Sequence, residues 1–243
     1  MDTFPVGVEP GRGGDADEDE QARPPAHCST GRLTTAQAGV VDAWRGRLRE
    51  DRPLPGRDRA GEAARLVGST DHPRASTSDA VAAAVAALLA RPPEPLDLAG
   101  YAYRAIRAQW EDSHGTPRPG APVCPPVSYY LPAALAGQAE ALRAGARLAA
   151  VEKLGQLPRE AAELYPGNTD EAARQRGRHV ARQAERLGLY YSRQIPRGAV
   201  ARMAIDRWAG RSPDEVAAAA VDWCQAVHVQ WHRARRDMVK LRR

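Results

Sequence analysis

The sequence has few aromatic residues and few cysteines. Of 243 residues only 5% are aromatic, and a single one is phenylalanine, so a large aromatic core is excluded and strand-rich folds are disfavoured. The three cysteines lie far apart and form no CxxC pair, which argues against a disulfide framework and a zinc knuckle. We therefore expect a mainly helical protein without a metal or other cofactor.

Long apolar runs are also missing. No stretch approaches the ~18 apolar residues of a membrane span, and no basic start followed by an apolar stretch marks a secretory signal. The sequence therefore predicts a cytoplasmic location, reduced cysteines and no membrane partner.

Lysine is scarce, because only two of the 35 basic residues are lysine. From Glu171 to Arg243 there are 16 basic and 7 acidic residues, a balance of +9, which leaves −4 for residues 1–170 of a chain with net charge +5. A locally basic surface favours polyanions, and guanidinium groups bind phosphate through paired hydrogen bonds. A GC-rich genome also produces excess arginine, so composition alone leaves both interpretations open.

Proline, glycine and charge divide the chain into four predicted parts. Residues 1–26 are an acidic arm, expected to be disordered because it lacks apolar periodicity. Residues 27–110 form a helical module. Residues 111–126 contain five prolines and two glycines and are predicted to be a linker. Residues 127–243 form a basic helical domain.

Capping residues and apolar spacing predict three helices in the N-terminal module. Thr34 and Gln37 form a capping box, followed by apolar residues at helical spacing. A serine or threonine at 76–78 caps a second helix, which Pro92 and Pro93 end. A third helix carries its apolar face between residues 98 and 110.

The C-terminal domain is predicted to combine helices with one or two short strands. The predicted elements are a strand at 127–131, a helix at 133–154, a helix from 168 to 187, a strand at 189–195, and helices at 198–209 and 213–236. Gly155 and a left-handed Gly210 end two of these helices, and Asn168 and Ser212 cap two others.

The segment from Tyr190 to Trp223 has the most complete set of residues that start and end strands and helices. A short strand ends at Pro196, a helix follows, and a Gly-Arg-Ser turn leads into a capped helix. This order resembles the ribbon-helix-helix family of DNA-binding proteins over about 34 of the 243 residues. The resemblance implies a homodimer or higher homo-oligomer in which the strand pairs with its own copy and enters the major groove of double-stranded DNA.

The resemblance also implies site residues. Alternation along the strand puts Tyr190, Ser192 and Gln194 on one face, and these positions match the base-reading residues of the family. Ser212 and the N–H groups that open the last helix match its phosphate-binding site. Arg197 and Arg211 lie at either end of the first helix and join the predicted phosphate-binding set. The alternative is an ordinary helical hairpin.

Four arginines recur at four-residue spacing: Arg174, Arg178, Arg182 and Arg186. On a helix they form a ridge about 18 Å long at 1.5 Å per residue, which we call the arginine ridge. Only Glu171 and Glu185 are near in sequence to neutralise it. The ridge is therefore a candidate for tracking a phosphate backbone, and the alternative is a solvated helix face.

Patterns that indicate catalysis are missing. The sequence contains no nucleophile elbow, no phosphate-binding Gly-rich loop and no paired acids at predicted strand ends. Cys224, His228 and His232 share a helix side, but a fourth ligand is not identifiable and Cys224 belongs to an apolar stripe, so burial is the preferred interpretation.

These patterns together predict a mainly α, non-enzymatic, sequence-specific DNA-binding protein. It would act by occupancy, as a repressor or a partition or accessory protein. The alternative is a non-catalytic helical scaffold or adaptor that binds another protein.

Overall fold

The protein is mainly helical, as its sequence predicts. The computed structural model describes residues 26–50, 54, 75–114, 126–189 and 195–241, with the side chains of all but 108–114 and 228–241. These residues form seven helices and two strands. In chain order the elements are β1 (Ala26–Ser29), α1 (Thr35–Arg49), α2 (Thr77–Ala90), α3 (Pro95–His114), β2 (Ser128–Leu131), α4 (Ala133–Leu164), α5 (Asp170–Leu187), α6 (Ala199–Trp208) and α7 (Pro213–Leu241).

The starts of α1 and α2 follow the predicted caps. Thr34 Oγ1 accepts from the Gln37 N–H at 3.2 Å, and Gln37 Oε1 accepts from the Thr34 N–H at 3.2 Å, so the capping box is confirmed. Of the three candidates for α2, Ser76 is the N-cap and makes the reciprocal bonds with Asp79. Each pair satisfies N–H groups that a helix start leaves without an intrahelical partner.

The two strands form a small antiparallel sheet within one chain. β2 confirms the predicted strand, and its partner is β1, with Ala26 opposite Leu131 and Ser29 opposite Ser128. No pattern in the sequence predicts β1. Thr30 extends the pairing, because its N–H donates to the Val127 carbonyl at 3.0 Å and its hydroxyl accepts from the Val127 N–H at 2.9 Å.

Helices α2 and α6 lie at the centre of the core. In α2 residues 80–85 are all buried, and α6 is buried from Ala199 to Ile205. α2 packs against α6, α7 and β2. Trp44 of α1 meets Trp208 of α6 edge to face, with ring centroids 6.3 Å apart, a favoured aromatic geometry. The most apolar helix of the chain is thus surrounded by elements from both ends of the sequence.

The predicted boundaries of the four parts differ from the structure at two points. Ala26 is the first residue of β1, and α3 extends to His114, four residues into the predicted linker. Residues 1–25 and 115–125 lie outside the described residues. Elements before and after the linker share one core, and the division into domains stays a prediction.

The predicted C-terminal end of α4 and the predicted N-cap of α5 are wrong. α4 continues past Gly155 and Pro158 to Leu164, although an internal proline costs about 3 kcal/mol. Pro158 is exposed while Leu157 and Ala161 beside it are buried, so tertiary packing outweighs local propensity. The N-cap of α5 is Thr169 and not Asn168.

The end of α6 agrees with the prediction, but Gly210 does not adopt the predicted positive φ. Instead the C-cap of α6 is Ala209, in the right-handed helical region, and the Arg211 N–H donates to the Trp208 carbonyl at 3.0 Å. A turn that keeps helical dihedrals needs no left-handed residue.

Polar side chains of α1, α3 and α6 lie close together beside the core. The Arg202 side chain is only 2% exposed; it donates to the Arg32 carbonyl at 3.4 Å, and its Nε has no hydrogen-bond partner among the described residues. Nearby, Gln37 Nε2 donates to the Asp206 carboxylate at 3.0 Å and the Tyr101 hydroxyl donates to it at 2.6 Å. Burial lowers the pKa of Arg202, and the charges of Tyr101 and Asp206 oppose that shift.

We expect Arg202→Met to leave the free energy of unfolding unchanged or raise it by up to about 1 kcal/mol. The substitution removes a buried donor without a partner, and the exposed Asp206 keeps two other donors. Gln37→Met is the comparison variant and should lower it by about 1–2 kcal/mol, because Asp206 and Tyr101 lose a donor. Urea unfolding measures both values, and a loss above about 2 kcal/mol for Arg202→Met would contradict this expectation.

Candidate nucleic-acid interface

Helix α5 presents four of its five arginines on one side and its buried alanines on the other. It begins at Thr169, whose Oγ1 accepts from the Ala172 N–H at 3.2 Å, and ends at Gly188, a left-handed C-cap with φ +70°. Ala172 and Ala184 are buried against the rest of the protein. The sequence therefore folds into a strongly amphipathic helix whose polar face is cationic.

All four residues of the arginine ridge are exposed. Arg174 lies 3.9 Å from Glu171, and Arg182 Nε donates to the Arg178 carbonyl at 3.3 Å. Among the described residues, Arg178, Arg182 and Arg186 have no carboxylate within salt-bridge distance. Glu185, the second acid near the ridge, instead pairs with Arg107 of α3 at 3.2 Å. Like charges at four-residue spacing repel each other, so this face favours an anionic partner.

The C-terminal end of α5 is held against α3 by two glycines. A Cβ at Gly188 would lie 2.8 Å from Gly100 Cα, and one at Gly100 would lie 2.9 Å from the Leu187 carbonyl oxygen. Only residues without side chains permit this approach. The helix that carries the ridge is therefore packed closely against α3 at its C-terminal end.

A fifth arginine of α5 has a structural role. Arg176 is partly buried and donates to the carbonyls of Tyr165 at 3.0 Å and Gly167 at 2.7 Å. These bonds close the turn between α4 and α5. Its two-residue offset from Arg174 and Arg178 puts it on another side of the helix, so the spacing separates it from the ridge.

Arg197 lies apart from the ridge, beside a cavity of about 250 Å³ between β1 and α4. Glu140, which also lines this cavity, binds Arg143, and that bond holds the pKa of the Glu140 carboxyl below its usual range. Arg143 also donates to the Ile195 carbonyl at 3.0 Å. Arg197 is thus an exposed cation close to an ionised carboxylate.

The turn between α6 and α7 holds Arg211 and Ser212, both exposed. The Arg211 guanidinium lies 4.3 Å above the Trp208 ring, a cation–π contact. The N–H of Ser212 donates to the Glu215 carboxylate at 2.8 Å, and its hydroxyl donates at 3.0 Å. These two bonds lower the pKa of Glu215.

The Ser212 cap has a consequence for anion binding. Glu215 is already the anion at the start of α7, so a phosphate would compete with it for the Ser212 donors. Glu215 follows Ser212 by three residues, as in a reciprocal cap. This spacing is the feature of the sequence that indicates an N-cap already occupied by a carboxylate.

The predicted base-reading residues Tyr190, Ser192 and Gln194 lie outside the described residues. On either side of them Leu189 and Ile195 are buried. The structure brings the four ridge residues together on α5, while Arg197 and the pair Arg211 and Ser212 belong to other elements.

Within the described part of the chain, no helix is both long and apolar enough to cross a bilayer, and no three His, Cys, Asp or Glu residues form a group suited to a metal ion. Cys224 is buried, and burial raises the pKa of its thiol to about 11. The side chains of His228 and His232 lie outside the described residues.

The chain matches no family model, no curated protein and no solved structure.

Proposed function

We propose that the protein binds double-stranded DNA, with the arginine ridge as its phosphate-contacting surface. The carrying observation is that four exposed guanidinium groups follow one helix face while the nearest acids are at its start or paired elsewhere. A ridge of about 18 Å spans several phosphates of a duplex, whose charges recur every ~1.7 Å along its axis. Such contacts position a protein on DNA without reading its sequence.

We further propose that the protein selects its DNA sequence through residues 190–194. Gln194 bonds adenine bidentately in this scheme, and Ser192 reaches either donor or acceptor edges. Tyr190 completes the base-reading set on the same face of the extended segment. The protein then acts by occupancy, as a repressor or a partition or accessory protein, and performs no chemistry on the DNA.

Fluorescence anisotropy of a labelled random duplex tests the phosphate contacts. Four contacts predict a slope of log affinity against log salt of about −3.6, a loss of roughly 150-fold between 50 and 200 mM. Arg178→Gln with Arg182→Gln should reduce the slope to about −1.8. No binding at about 50 mM salt would refute the proposal.

The matched control removes the same charge elsewhere. Arg45→Gln with Arg91→Gln takes two partly or fully exposed arginines from α1 and the end of α2. This variant should retain the wild-type slope. Equal losses in both double variants would mean that net charge, and not the ridge, determines binding.

The adaptor function remains the second candidate, favoured by exposed apolar residues near the hairpin of α4 and α5. Leu148 is 69% exposed and Leu164 is 59% exposed, and a cleft of about 510 Å³ between the two helices is lined mainly by apolar side chains. A complex with another protein through these residues would survive the salt that abolishes phosphate contacts.

A further inference from the structure

The outer face of α4 carries apolar residues that the chain leaves exposed. At alternating spacings of three and four this face presents Ala134, Gly137, Ala141, Ala144, Leu148 and Val151, all of them exposed. Leu148 is 69% exposed and Val151 is 44% exposed. The opposite face of the helix, with Ala146, Ala150 and Leu157, is buried against the same chain.

The alternating spacing matches the seam of a helix that pairs with another helix. Residues three and four apart fall on one stripe with the average repeat of 3.5 that packs knobs into holes. A contiguous apolar stripe on the surface of a protein usually marks an interaction site. Small residues within the stripe let two backbones approach closely.

We propose that this face pairs with the same face of a second copy of the chain, with the two α4 helices antiparallel and centred between Leu142 and Arg143. In this register Leu148 lies over Gly137 of the second copy, and Val151 lies over its Ala134. Ala141 faces Ala144 at the centre. Each large side chain therefore meets a small one, and the separation of the helices stays even along the seam.

The charges beside the seam are complementary in the same register. Glu140 and Arg147 flank the stripe, and antiparallel pairing brings each opposite the other in both halves of the interface. Glu140 is ionised and 57% exposed, and its bond to Arg143 leaves room for a second donor. Arg147 is exposed and pairs with no carboxylate among the described residues.

A parallel arrangement fits the side chains less well. It would place Leu148 against Leu148 and Gly137 against Gly137, so one end of the seam would be crowded and the other would leave a gap. It would also place Glu140 opposite Gly145 and leave that carboxylate without a cation.

Sedimentation equilibrium of the full chain without DNA tests the proposal. We expect the wild type to dimerise and Leu148→Glu to raise the dissociation constant at least about 100-fold, because each dimer loses two buried leucines. Leu164→Glu, which alters an exposed leucine of α4 beyond the seam, should leave dimerisation unchanged. Circular dichroism checks that each variant keeps its helices.

The charge pair tests the antiparallel register. Arg147→Glu should weaken the dimer, and Arg147→Glu combined with Glu140→Arg should restore it, since the opposite charges are exchanged. A parallel dimer would not recover, because Glu152 would still face the new glutamate. Failure of the double variant to recover, with its helices intact, therefore overturns the register.

Two further results would overturn the proposal itself. One is a wild type that stays monomeric at the highest soluble concentration. The other is a dimer that survives Leu148→Glu, as expected for pairing through residues 190–195. Neither result depends on DNA binding, so this test and the salt titration can fail separately.

Discussion

Gly198→Ala is expected to lower the free energy of unfolding by about 3 kcal/mol or more. A Cβ at Gly198 would overlap both the carbonyl oxygen and the carbonyl carbon of Thr30, so one of the two backbones would have to move. Thr30 is fully buried and bonded to Val127 on both its N–H and its hydroxyl. Overpacking usually costs about 1–3 kcal/mol, and a fixed backbone puts this site at or above the upper end.

The matched control lies at the other end of α6. No atom lies within 4 Å of a Cβ at Gly210, and its φ is not positive, so Gly210→Ala should change stability by less than about 0.5 kcal/mol. Urea unfolding of both variants provides the comparison. Similar values for the two would mean that α6 does not approach Thr30 as closely as described.

Gly188→Ala is expected to lower the free energy of unfolding by about 3 kcal/mol, from two causes. A side chain at φ +70° costs about 1–3 kcal/mol. The new Cβ would also lie 2.8 Å from Gly100 Cα and 3.0 Å from Tyr103 Cβ. Both effects disturb the support that holds the arginine ridge against α3.

Gly177→Ala is the comparison within the same helix. Gly177 is exposed, and its Cβ would meet no atom within 4 Å, so helix propensity alone should raise stability by about 0.8 kcal/mol. Opposite signs for the two variants, measured by thermal and urea unfolding, are the expected outcome. A stabilised Gly188→Ala would contradict the close approach of α3 and α5.

Most helix starts, and the end of α2, could be predicted because their causes are local. Thr34 with Gln37 and Ser212 with Glu215 satisfy N–H groups within four residues, and Pro92 ends α2 through its own geometry. These effects depend on sequence neighbours, so the sequence contains all the information that they need.

Features that depend on distant residues were not predictable from spacing. β1 is a strand only because β2 lies beside it, and α4 continues through Pro158 because its inner face is packed. Arg202 is buried and Arg207 is exposed, although both are arginines of the same short helix. The burial of each arginine depends on whether other elements pack against its side of α6, and the sequence of α6 does not contain that information.

The candidate site divides in the same way. The arginine ridge follows from four-residue spacing, and the exposure of its residues agrees with that pattern. Its support by Gly100 and Gly188 joins residues far apart in sequence, and no local pattern marks such a contact. The engagement of Glu185 by Arg107 is likewise a property of the assembled fold.

The pairing of β1 with β2 and the packing of α2 against α7 affect how the chain can fold during synthesis. Ala26 cannot pair until Leu131 has been synthesised. The apolar residues of α2 cannot complete their packing until the helix that begins at Pro213 has been synthesised. Domains fold in units as they leave the ribosome, but here no early unit is complete. The side of α2 that packs against α7 therefore stays uncovered until α7 has been synthesised, which makes α2 a segment that chaperones should bind on the nascent chain.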